Sequence, residues 1–176
     1  TPKQFLVAYD CIVPIVHPGN KVKNLTVAQL QDIYAGKITN WKDLGGDAGQ
    51  IVVISRDTSS GTYDCWENKV MHAGDKKERV FPGALLQASN GAVVQAVSKN
   101  KLAIGYIGLG YLNKEIKQIT VNNIMGDATT ALSRDLVLFT PVGLDHAAVI
   151  GPTLADIARD KALAMVPGGV AVTGPQ

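Results

Sequence analysis

Only two cysteines, Cys11 and Cys65, occur in the 176 residues, and neither lies in a CxxC or Cys/His spacing that would hold a metal. Two are too few for a disulfide scaffold. His17, His72 and His146 are equally sparse and stand far apart without metal-ligand spacing, so solvated histidines and no metal are expected. Charge is scarce too: 18% of residues are charged and the net charge is +2, too weak to hold nucleic acid or a membrane surface. The lysines at 21, 23, 76, 77, 99, 101, 114 and 117 are scattered and read as solvated surface. No apolar run reaches the ~18 residues a membrane span requires, and no signal-peptide pattern is present. Internal repeats and low-complexity segments are absent. Asp10, His17, Asp57, Ser60 and Glu67 are residue types that hydrolases use, but no G-x-S-x-G elbow surrounds a serine. Gly36-Lys37 lacks the preceding glycine of a P-loop. An enzyme is therefore not expected, and no cofactor is implied. The opening Thr1-Pro2-Lys3 has no initiator methionine, which fits a processed chain or a cut piece.

What remains is an ordinary apolar core composition, 46% hydrophobic, in a chain long enough for one folded unit. Strand-rich sequence covers 5–16, with Pro14 marking a bend or an edge. Pro18-Gly19-Asn20 is a turn, Thr26 caps a helix over 27–34, and Gly36 stops it. Residues 40–50 read as a glycine-rich loop, 51–54 as a buried strand and 63 to about 71 as a helix. Residues 72–90 read as loop with a short helix, and 92–99 as an amphipathic helix burying Val93, Val94 and Val97. Strands are expected at 101–107, 116–121 and 136–140, a helix at 153–166 and a short strand at 170–172. Strands alternating with helices argue an α/β architecture.

The chemistry concentrates in Ile51-Val52-Val53-Ile54-Ser55-Arg56-Asp57-Thr58-Ser59-Ser60-Gly61-Thr62. A β-branched strand feeds a hydroxyl-rich loop at a helix start. Unpaired N–H groups and the helix dipole there favour an anion. Gly61 admits close backbone approach. Ser60 and Thr62 carry hydroxyl donors, and Arg56 carries a planar, permanently charged fork suited to phosphate oxygens. The ordinary alternative is a plain N-cap beside a surface arginine. Arg56 standing four residues before Ser60, straight after a buried strand, favours the anion site.

Arg56-x-x-x-Ser60-Gly61-Thr62 resembles the ligand motif of the periplasmic phosphate-binding proteins of ABC transporters, in the type II periplasmic-binding-protein family. The residues from Asp10 to Asn20 resemble that family's inter-lobe strand and Asn-rich turn. Leu25-Thr26 through Gly36 and Asn40-Trp41 is similar to its Leu-Thr helix and following turn. Ala103-Ile104-Gly105-Tyr106 resembles its return strand, and Leu132-Ser133-Arg134-Asp135-Leu136 its late Leu-Ser-Arg segment, with Asp135 where the family has proline. The resemblance implies a mixed sheet flanked by helices: essentially the second lobe of a two-lobe clamp plus a C-terminal portion of the first. The whole chain, 1–176, then reads as one partial domain, with about 20–105 as the second-lobe core and about 106–176 as return strand and C-terminal segment. The family's opening segment, with its own hydroxyl-rich loop and an acidic residue that accepts a proton from phosphate, has no counterpart ahead of Phe5.

Under this resemblance the ligand is inorganic phosphate, held by Arg56, Ser60, Gly61 and Thr62. Further cleft candidates are Ser59, Asn90, Gly91 and Asp10. Asp10 is a candidate to hold Arg56, Ser133-Arg134 to pack between segments, and Trp41 to anchor a turn. The implied partners are an ABC transporter permease and the missing first lobe or a second copy of the chain. The implied location is periplasmic or extracellular, lipid-anchored or secreted in the full-length protein. A disulfide is permitted in such a compartment, and the redox state of Cys11 and Cys65 stays open. A buried free thiol is the commoner fate for a strand residue such as Cys11. Charge-assisted bonds contribute roughly 1.5–3 kcal/mol each, so a lone lobe is expected to bind about three orders of magnitude more weakly than a whole clamp. The alternative is a single-lobe sensing module that dimerises and binds oxyanion weakly or not at all. Light scattering at two concentrations separates the two.

Overall fold

The structure is a computed structural model describing residues 3–75, 77–127 and 132–140. In chain order its main elements are β1 (Lys3–Val16), β2 (Asn24–Leu25), α1 (Val27–Tyr34), β3 (Val52–Arg56), α2 (Gly61–Trp66), β4 (Leu85–Gln87), α3 (Asn90–Ser98), β5 (Ala103–Gly108), β6 (Lys117–Gln118), β7 (Thr120–Val121) and β8 (Ser133–Thr140). Cys11, Ile12, Val13, Ile15 and Val16 are all buried, an unbroken apolar run that belongs to a strand covered on both faces. β1 accordingly runs through the middle of the main sheet, whose order is β4-β3-β5-β1-β6, with β8 also paired to β1. β3 is parallel to both β4 and β5, and β5 is antiparallel to β1, so the sheet is mixed as expected.

Pro14 sits at neither a bend nor an edge: it pairs with Tyr106 of β5 inside the sheet. Its missing N–H falls where β1 changes partner. β8 accompanies β1 up to Cys11↔Ser133, and β6 takes over at Ile15↔Gln118. No ladder bond is lost, and the Pro14 carbonyl still accepts from Ile119 N–H at 3.0 Å.

α1 forms where expected. Thr26 closes a reciprocal capping box with Gln29, and Leu30, Ile33 and Tyr34 are buried. α2 begins at Gly61 rather than 63, because the Ser60 side chain caps it, and wider π-type turns carry it on over Glu67–Met71. The 40–50 loop contains a 3-10 turn over Trp41–Leu44, capped by the Asn40 side chain. No helix forms between 77 and 88. Pro82 and Gly83 interrupt the chain there, and the backbone of 85–87 is taken up by pairing with β3 instead. The strand expected over 116–121 is split: Ile119 N–H turns back to Pro14 while Thr120 N–H bonds Lys23. β8 contains the expected 136–140 strand and places Ser133 and Arg134 opposite Cys11 and Asp10 on β1. The helix and strand expected at 153–166 and 170–172 lie outside the described residues. Cys11, buried, and Cys65, half-buried, are not joined in a disulfide.

α3 lies against β5 through Val93 and Val97. A Cβ built on Gly105 would come within 2.6 Å of Val93 Cγ1 and 3.0 Å of Val97 Cγ2. Beneath β3 three rings pack together: Trp66 stacks on Tyr106 at 4.3 Å between centroids, and Tyr34 tilts against both at 4.8 and 5.6 Å. These contacts fix the carboxyl end of β3, from which the site residues project.

Candidate functional site

Arg56 is the last residue of β3, and its side chain is buried although it carries a permanent charge. Such a charge persists only with its donors satisfied. Nε donates to the Gln87 carbonyl at 3.0 Å, Nη2 to the Ala88 carbonyl at 3.2 Å and Nη1 to Asn90 Oδ1 at 3.4 Å. Three of the five guanidinium N–H groups are thus committed to the β4–α3 junction, and two remain. Arg56 forms an ion pair with Asp57, whose Oδ2 lies 3.8 Å from Nη2, too far for a hydrogen bond. Asp57 also takes a short hydrogen bond from the Ser59 hydroxyl. That bond chiefly, with a smaller contribution from Arg56, holds its carboxyl below the usual carboxylate range.

The backbone of Arg56 is tied down as well. Its N–H donates to the Tyr106 hydroxyl at 3.2 Å, and that hydroxyl shares a second bond with Ser55 Oγ at 3.0 Å. Burial pushes the Tyr106 phenol up to about 12, so it stays neutral and polar across the ordinary pH range.

In the hydroxyl turn, Ser60 is buried and its Oγ accepts from Thr62 N–H at 3.2 Å and Tyr63 N–H at 3.4 Å. The Thr62 amide is therefore engaged inside the protein. The hydrogen bonds of the described residues leave the Ser60 and Thr62 hydroxyl protons and the Gly61 N–H without an internal acceptor. Ser59 is exposed and bonded to Asp57.

Asn90 and Gly91 open α3, but the cap is Ser89, whose Oγ accepts from Ala92 N–H at 3.1 Å. Asn90 Oδ1 instead accepts from Arg56 Nη1 and from the Gly108 N–H, each at 3.4 Å. Gly91 is exposed, with its Cβ position nearly open. Asp10 accepts from Cys11 N–H through Oδ1 at 2.8 Å, and its Oδ2 lies 3.5 Å from where a Gly108 Cβ would stand. The structure thus brings Arg56, Asn90 and Gly108 together, sets Asp10 beside Gly108, and sets Ser60–Thr62 just past the end of β3. Trp41 is buried and donates through Nε1 to the Leu102 carbonyl, an anchor of its turn rather than a ligand stacker.

The sequence reading missed Gln87, Ala88 and Tyr106 as the holders of Arg56. The first two act through carbonyls, which every residue carries, so nothing marked them. Tyr106 carried a signal: a hydroxyl inside an otherwise apolar strand needs a partner when buried. Among the described residues no cluster of His, Cys, Asp or Glu could hold a metal ion.

A buried arginine thus ends a strand of a mixed α/β sheet, followed by a hydroxyl turn in which Ser60 and Thr62 are buried and Gly61 is exposed. Residues 1–135 match the PBP superfamily domain, and the chain belongs to that superfamily. It is PstS-like: it is 33% identical over 152 residues to the phosphate-binding protein PstS of Borreliella burgdorferi, covering 78% of this chain and 54% of that protein. A PstS from Staphylococcus epidermidis is 35% identical over 153 residues, covering 77% of this chain and 45% of the relative. Among solved structures, an ABC-type phosphate transport receptor from Vibrio cholerae aligns with a TM-score of 0.69 at 33% identity, over 78% of this chain and 59% of that one. PstS from Borrelia burgdorferi aligns with a TM-score of 0.71 at 25% identity, over 98% of this chain and 73% of that one. The chain spans about half the length of the curated relatives it matches.

Proposed function

We propose that this chain binds inorganic phosphate through Arg56, Ser60, Gly61 and Thr62, as the arginine-bearing part of the solute-binding component of an ABC-type phosphate uptake system. The observation that carries the reading is the state of Arg56. It is buried, three of its N–H groups are fixed by Gln87, Ala88 and Asn90, and its partner Asp57 stays 3.8 Å away. A guanidinium so held is pre-organised, with two N–H donors left for an oxyanion. The relatives' names supply phosphate as the anion. Binding rather than catalysis is the role. The complementary donors come from another lobe, whether the rest of a longer parent chain or a second copy. The transporter permease is the partner that receives the phosphate, and the location is periplasmic or extracellular. No helix among the described residues is long and apolar enough to cross a membrane.

Calorimetric titration with phosphate and with sulfate tests this. Arg56→Ala removes two charge-assisted bonds and weakens phosphate binding about 100-fold or more. Equal phosphate affinity in the variant and the parent rules the site out.

A further inference from the structure

We infer that Asn90 is the positioning residue of the anion site: its side-chain carbonyl sets the guanidinium of Arg56 and ties it to β5 at Gly108. The inference rests on the reading of Arg56 as the phosphate anchor. Three observations carry it. First, Asn90 Oδ1 is placed on Arg56 Nη1 and Gly108 N at the same distance, 3.4 Å. Both bonds are long and share one oxygen, so neither alone accounts for the side chain's place. Second, Asn90 is not needed to start its helix, because Ser89 already supplies the cap. An asparagine just inside a capped helix has no local task. Third, Gly108 ends β5, where that strand pairs with Ile12 of β1 and where the Asp10 carboxylate approaches.

The consequence is mechanical. The carbonyls of Gln87 and Ala88 hold Nε and Nη2 from one side only, and the guanidinium can still pivot about that edge. Asn90 fixes Nη1 and so decides the plane in which the two remaining N–H groups point. A bidentate contact to a tetrahedral oxyanion requires that plane. The same oxygen links it to β5 at Gly108, the residue that pairs with Ile12 of β1.

The test is a double-mutant cycle on phosphate binding by the full chain, read by NMR titration with inorganic phosphate into the tens of millimolar. Asn90→Ala weakens binding about tenfold in the parent. In an Arg56→Ala background the same change alters affinity by less than about twofold, because Asn90 has nothing left to orient. A similar loss in both backgrounds makes Asn90 a direct phosphate ligand or a merely structural residue, and overturns the inference. So does an Asn90→Ala variant that binds as the parent does while Arg56→Ala does not. Indifference of the parent itself to Arg56→Ala, or no phosphate-dependent shift at all, sinks the anchor reading and the inference with it, a result plainly different from the other two. A melting temperature for each variant separates lost orientation from lost fold: Asn90→Ala is expected to melt within a few degrees of the parent.

Discussion

Arg56 is held by its surroundings before any ligand arrives, and Tyr106 is the residue beneath it. The Tyr106 hydroxyl accepts the Arg56 N–H and meets Ser55 Oγ, while its ring stacks on Trp66. Burial raises its pKa to about 12, above an unfolded value near 10. The folded state therefore favours the protonated phenol. That preference is intact below about pH 10, where the unfolded chain also keeps its proton, and is lost as pH rises from about 10 through about 12. Tyr34 is raised in the same direction by burial. Urea denaturation between pH 9 and 11.5 is expected to show stability falling across this window, by an amount on the order of 2 kcal/mol from Tyr106. In Tyr106→Phe the fall is shallower, on a baseline lowered by the lost hydrogen bonds. An identical pH slope in the variant contradicts the assignment.

Strand β5 and helix α3 are locked together at Gly105, where no side chain fits between β5 and the two valines. Gly105→Ala forces a Cβ to 2.6 Å from Val93 and is expected to cost about 1–3 kcal/mol, measured as a lower urea midpoint at unchanged slope. An unchanged midpoint would mean that the helix floats free of the sheet. Elements of this kind were legible in the sequence because local signals agreed. Thr26 announced the start of α1, and Val93, Val94 and Val97 announced the buried face of α3. β4 was not legible: Leu85 and Leu86 are exposed, and a three-residue edge strand is made by its neighbour rather than by its own pattern. Pro14 misled for the same reason, since its tolerance depends on β1 changing partners, a fact of distant residues. The motif of Arg56, Ser60, Gly61 and Thr62 was visible as residue types at a spacing. The carbonyls that aim the arginine were not, because backbone atoms leave no trace in residue identity.

At the scale of the whole molecule, β1 is the member that joins everything. Among the described residues its first part pairs only with β8, and its second part lies between β5 and β6. In a two-lobed binding protein such a strand is where one lobe would hand over to the other, with ligand gripped between them. Tyr9 and Tyr111 are exposed among the described residues, Tyr9 next to Asp10 in the chain and Tyr111 beside Gly108. The most direct measurement is an amide NMR map of the chain titrated with phosphate. Binding at the end of β3 predicts that the amides of Gly61, Thr62, Asn90 and Gly108 and the Arg56 Nε–H shift together, along one saturating curve. Shifts confined to another capped helix start, such as Thr26–Gln29, with the β3 end unmoved, would contradict it.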